Sequence, residues 1–148
     1  MMNKKIFLHI LLLSLYLPLF IQCENGDKTT DCFPKSTINY QVNLDLPAYQ
    51  NLASINGWAY VPGGPLSGTN GLIIVKKGTY EFKAYDRNAP HICPTANSVL
   101  EVKDDIYIYC PEDNAKWILN SGQPLEVAGI SPKTYPTHLI GNTLYISY

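Results

Sequence analysis

Ile38-Asn39-Tyr40-Gln41-Val42-Asn43-Leu44-Asp45-Leu46 places an apolar side chain at every second position, and Pro47 closes the run. A period of two puts those five side chains on one face of an extended chain, which is the pattern of a strand with one wet face. The chain beyond it has the same character. Residues 48–53 are expected to form a single helical turn with Tyr49 and Leu52 inward. A short strand over 58–61 is closed by Pro62-Gly63-Gly64-Pro65. Residues 72–75 and 80–85 read as a hairpin through Lys76-Lys77-Gly78, and 99–102 with 106–109 as another through Asp104-Asp105. Residues 117–119 run into the turn Asn120-Ser121-Gly122, and 135–140 pair with 144–148 through Gly141-Asn142. About eight short strands with turn chemistry between them and no long helix predict an all-β domain over 37–148, an antiparallel β-sandwich or small barrel.

Upstream, residues 1–22 read as a targeting segment rather than as part of the fold. Lys4 and Lys5 make a short positive start, and residues 6–21 are apolar apart from His9 and Ser14. That run is short for a membrane span and suits the apolar region of a secretory signal. It ends in Leu19-Phe20-Ile21-Gln22-Cys23, which resembles a bacterial lipobox, with Gln22 an irregular residue before the cysteine. The resemblance implies cleavage before Cys23 and lipidation of that residue, hence anchoring to a membrane of the cell envelope. Residues 23–36 are polar and turn-rich and are expected to be a tether.

Charge excludes one class of partner. The chain has a net charge of −1, with 11 basic and 12 acidic residues. Removing Lys4 and Lys5 leaves nine basic residues, of which Arg87 is the single arginine. Binding nucleic acid through its phosphates is not expected of a mildly acidic domain with one arginine.

Most of the chemically versatile side chains fall in two proline-bearing loops, each following a predicted strand. The first is Asp86-Arg87-Asn88-Ala89-Pro90-His91-Ile92-Cys93-Pro94, and the second runs from Cys110-Pro111-Glu112-Asp113 to Trp117. Together they are expected to gather His91, Cys93, Cys110 and Asp113 at one end of the domain. In order and spacing this resembles the Rieske family, whose first box is C-x-H and whose second is C-x2-H. Phe82-Lys83-Ala84-Tyr85-Asp86-Arg87 is similar to the strand entering the first box, and Gly141-Asn142-Thr143-Leu144-Tyr145-Ile146 to the family's last hairpin. Leu44-Asp45-Leu46-Pro47-Ala48-Tyr49 with Gly63-Gly64 is similar to the opening of Rieske-like lipoproteins. The likeness spans most of 37–148 and implies a Rieske-like β domain.

The ligands carry over only in part. The family holds a 2Fe-2S cluster with two cysteines on one iron and two histidines on the other. Here His91 and Cys110 keep their ligand positions, but Ala89 stands for the other cysteine and Asp113 for the other histidine. Ala115 replaces a serine that hydrogen-bonds to the cluster, so that supporting contact is lost as well. Each iron would lose one protein ligand. The expectation is a domain with no cofactor, His91 and Cys110 being vestigial.

Two further readings concern the same residues. An exported protein lies in an oxidising compartment, so a Cys93–Cys110 disulfide is expected to staple the two loops. It would stabilise the domain by about 3 kcal/mol, and it would leave Cys32 unpartnered within the domain. The alternative is a zinc (Zn) site on His91, Cys93, Cys110 and Asp113, a donor set that zinc accepts. No catalytic arrangement is legible, and His138 is expected to lie exposed or in a structural role on a strand. The chain is thus expected to be a non-enzymatic structural or binding module of the envelope, with another envelope protein as partner. The proline-bearing loops, Trp58, Trp117 and neighbouring tyrosines form its expected contact surface. The alternative is electron transfer through a non-standard 2Fe-2S site.

Overall fold

A computed structural model describes residues 29–148; residues 1–28, with the targeting segment and Cys23, lie outside the described residues. The first strand, β1, covers Asn39–Asn43, followed by a 3-10 helix over Pro47–Ala53. Then come β2 (Trp58–Val61), β3 (Leu72–Lys76), β4 (Phe82–Asp86), β5 (Glu101–Lys103) and β6 (Tyr107–Tyr109). The chain ends with β7 (Lys116–Ile118), β8 (Pro124–Glu126), β9 (Thr134–Tyr135), β10 (Thr137–Ile140) and β11 (Thr143–Ser147). The domain is all-β, as the turn spacing predicts. Its strands form three antiparallel sheets, ordered β1-β11-β10, β2-β3-β4-β9 and β5-β6-β7-β8.

The run Leu72-Ile73-Ile74-Val75 explains how the sheets combine. All four side chains are fully buried, which a strand achieves only when both its faces are covered. Leu72 and Ile74 point into a core shared with Ile38, Val42, Leu144 and Ile146 of the first sheet. Ile73 and Val75 point the other way, into a second core with Leu100, Ile108, Trp117 and Leu119. β4 divides likewise: Phe82 and Ala84 join the first core and Tyr85 the second. The middle sheet therefore serves two cores, where a simple sandwich has one.

Most turns sit where the residue types put them. Asp104 and Asp105 both take positive φ, 55° and 56°, in the tight three-residue turn that joins Lys103 to its partner Tyr107. Tyr49 and Leu52 face inward from the 3-10 helix. The first strand is shorter than its alternation, because the Asn43 side chain accepts the Asp45 amide at 2.9 Å and bends the chain there. Gly71, at φ 81°, is required where β2 and β3 meet, since a Cβ there would lie 2.0 Å from the Val61 carbonyl oxygen.

Residues 29–36, part of the expected tether, are held against the domain. The Thr30 amide donates to the Pro90 carbonyl at 3.0 Å, and Phe33 is buried. Among the described residues no helix is long and apolar enough to cross a membrane.

Candidate functional site

The first loop leaves β4 at Asp86, which is buried and fully engaged. Its Oδ1 accepts the Asn88 amide and side-chain Nδ2, each at 2.7 Å, and its Oδ2 accepts the Tyr135 hydroxyl at 2.6 Å. Asn88 is held in turn by Asn70 Nδ2 at 2.7 Å. This network fixes the loop entry, drives Ala89 into the second core and brings His91 back over the sheet. The second loop is a compact turn between β6 and β7. The Asn114 amide donates to the Cys110 carbonyl and the Cys110 amide to the Ala115 carbonyl, both at 2.9 Å. Asn114 takes φ 65° to close it, and Asp113 Oδ1 accepts the Ala115 amide at 3.0 Å.

The two loops meet, although β4 and β6, the strands they follow, belong to different sheets. His91 Nε2 lies 2.5 Å from Asp113 Oδ2, and Thr95 Oγ1 donates to Glu112 Oε2 at 2.9 Å. The His91 ring stands edge-on to Trp117, with centroids 5.5 Å apart. Burial pushes the Asp113 carboxyl up, but hydrogen bonds from His91, the Ala115 amide and the Cys110 thiol outweigh it and hold it below the usual carboxylate range. Asp113 is therefore ionised at neutral pH and can only accept, so His91 Nε2 carries the proton between them. His91 Nδ1 is buried with no hydrogen-bond partner among the described residues. Burial is the main force on Cys110, pushing its thiol up to about 11, with the Asp113 carboxylate adding to the shift. A fully buried, protonated thiol is a poor nucleophile.

The expected Cys93–Cys110 disulfide is not the one that forms. Cys93 is bonded to Cys32, with Cα atoms 5.5 Å apart, and Cys110 is free and buried. Cys110 turns inward, into the second core, whereas Cys93 stands on the exposed side of its loop. There it meets the segment pinned by Thr30 and Phe33. Cys32, expected to have no partner within the domain, is thus a staple. The available signal was Phe33, an apolar residue beside a cysteine in an otherwise polar stretch.

The disulfide also removes Cys93 from the four-donor zinc set, because a bonded sulfur is no thiolate. Of the remaining three, His91 and Asp113 are hydrogen-bonded to each other and Cys110 is buried in the second core. Among the described residues no group of three or more His, Cys, Asp or Glu side chains is placed to hold a metal ion. The donor set does not fit a 2Fe-2S cluster either: Ala89 offers no lone pair, and Asp113 is spent on His91. Trp117 is fully buried and cannot form part of a contact surface. Trp58 starts β2 opposite Val75, at the other end of the strands from the loops. His138 is exposed on β10, as expected.

Two predictions follow from these geometries. Under native conditions at neutral pH Cys110 should resist a thiol reagent, and it should react once guanidinium unfolds the unreduced protein. Rapid native labelling at Cys110, located by peptide mass, would contradict its burial. Asp113 sets an acid dependence. Its folded pKa lies below the unfolded value of about 3.9, so its contribution is present above that value and is lost as pH falls through the folded pKa. Asp113→Asn should be less stable than wild type at pH 7, and thermal melts should show the gap closing below about pH 4.

Comparison of the chain with known protein families, with curated proteins and with solved structures finds no match.

Proposed function

We propose that this chain is a lipid-anchored protein of the cell envelope whose Rieske-like β domain works as a non-redox binding or structural module rather than as an enzyme. One observation carries the reading. At the four ligand positions the residues present do not converge: Asp113 is hydrogen-bonded to His91 at 2.5 Å, while Ala89 and the buried Cys110 belong to the second core. That arrangement leaves no two pairs of donors, one pair for each iron, as a two-iron cluster requires. The Cys32–Cys93 bond supports export, since such bonds persist in oxidising compartments. The leader and Cys23 support anchoring through acyl chains.

The test is a membrane preparation of the chain expressed with its own leader. The extracted protein should be colourless beyond the aromatic absorption band and hold neither iron nor acid-labile sulfide. Its intact mass should correspond to an acylated Cys23 as the first residue. Stoichiometric iron and sulfide with visible absorption would replace this reading with electron transfer. Stoichiometric zinc would replace it with a metal-binding module, and an unacylated mass would remove the anchor.

A further inference from the structure

At the end of the middle and third sheets away from His91, two hollows of about 260 and 460 Å³ adjoin, sharing Asn56 and Asp105. The larger falls within the ~300–1,000 Å³ range of small-molecule sites. The walls of the two together combine two kinds of chemistry. Gln50, Asn51, Asn56 and Asn120 supply planar amides, while the Trp58 indole and the Ile118 and Leu119 side chains supply apolar surface. Ile55 and Ile106, 58% and 54% exposed, stand beside them as uncovered apolar side chains.

Charge narrows the ligand. Among the described residues Asp105 is the single acidic side chain lining either hollow and no basic side chain lines them, so a phosphate or carboxylate ligand would meet no counter-charge there. Planar amides and a carboxylate pair with adjacent hydroxyls, each of which both donates and accepts. An indole packs against a face of C–H groups. A sugar ring offers both surfaces in one molecule.

The cleft is also held in shape before any ligand arrives. Trp58 Nε1 donates to Asp105 Oδ1 at 2.8 Å, which orients the indole, and Asn120 Nδ2 donates to Asn56 Oδ1 at 2.5 Å. Asn56, at φ 67°, is held by the hydrogen bond that its backbone N–H donates to the Lys76 carbonyl at 2.8 Å. Gly57 is obligatory next to it, because a Cβ would fall 1.7 Å from the Asn51 carbonyl oxygen. Such rigidity lowers the cost of binding. We infer that this cleft binds a neutral saccharide. The inference goes beyond the anchored-module reading and depends neither on the anchor nor on the His91 loops.

The test uses the full processed chain in a detergent without a sugar headgroup. Maltotriose, cellotriose and N,N′-diacetylchitobiose are titrated to about 10 mM, tenfold above a Kd of ~1 mM. At least one should produce saturable amide shifts confined to the cleft, with a change in Trp58 fluorescence. Gln50→Ala removes an exposed amide without touching the core, and Asn120→Ala removes one that also holds Asn56. Each should weaken binding by about 2–10-fold, the range of a single hydrogen bond. No saturable shift with any of the three sugars would overturn the site. So would shifts centred elsewhere, or affinities unchanged in both variants. The mass of the same sample reports the anchor separately, so failure of one reading is distinguishable from failure of the other.

Discussion

Replacing both Cys32 and Cys93 by serine should lower the melting temperature by about 12–20 °C. The bond joins residues 61 positions apart. Closing a loop of that size restricts the unfolded chain by an amount worth about 4 kcal/mol. For a domain of this size each kcal/mol moves the midpoint by about 3–5 °C. Both sulfurs lie on exposed residues, so reductant added to the native wild-type protein should reproduce the shift. The substitution should also make residues 29–33 a target for limited proteolysis, since Thr30 and Phe33 then hold the segment alone. An unchanged midpoint in both the variant and the reduced protein would show that this bond does not staple the fold.

Trp117→Ala should be the most damaging single change, costing about 3–5 kcal/mol in urea unfolding. The indole is fully buried at the centre of the second core, and its Nε1 donates to the Ile130 carbonyl at 2.7 Å. Truncation leaves a cavity beneath β7, an unpaired carbonyl at 130 and a His91 ring with no aromatic edge beside it. Trp117→Phe keeps most of the packing and loses the hydrogen bond, so its cost should be nearer 1–3 kcal/mol. The difference between the two variants isolates volume from polarity. A Trp117→Ala protein that unfolds at the wild-type urea midpoint would mean that the second core does not depend on this ring.

The sequence made some of this architecture legible because its local chemistry is strong. The alternation through Tyr40 and Val42, the turn at Asp104-Asp105 and the break at Gly141-Asn142 each have one low-energy solution, and the strands stand around them. Other features depend on contacts distant along the chain. The buried run at 72–75 reads as a strand, but nothing within it says that its two faces serve different cores. β8 escaped because Pro124-Leu125-Glu126 is short, half exposed and proline-led, and pairs with β7 only after a register shift. At the site, the spacing of the two loops was enough to bring His91 to Asp113. It was not enough to give the direction of a side chain. Whether a cysteine points into the core, like Cys110, or out of it, like Cys93, decides which thiols can meet, and that depends on loop conformation. The same limit applies to Trp117, whose burial no local pattern announces.

The position of the Cys32–Cys93 bond also determines how the domain meets a mechanical pull. Tension on the chain upstream of Cys32 passes through the crosslink into the loop that follows β4. It bypasses β1, which pairs with β11 along Asn39–Asn43. Without the bond, the same force would peel β1 from its partner one residue at a time. With it, the force enters the fold at Cys93 and the pairing of β1 with β11 is spared that peeling.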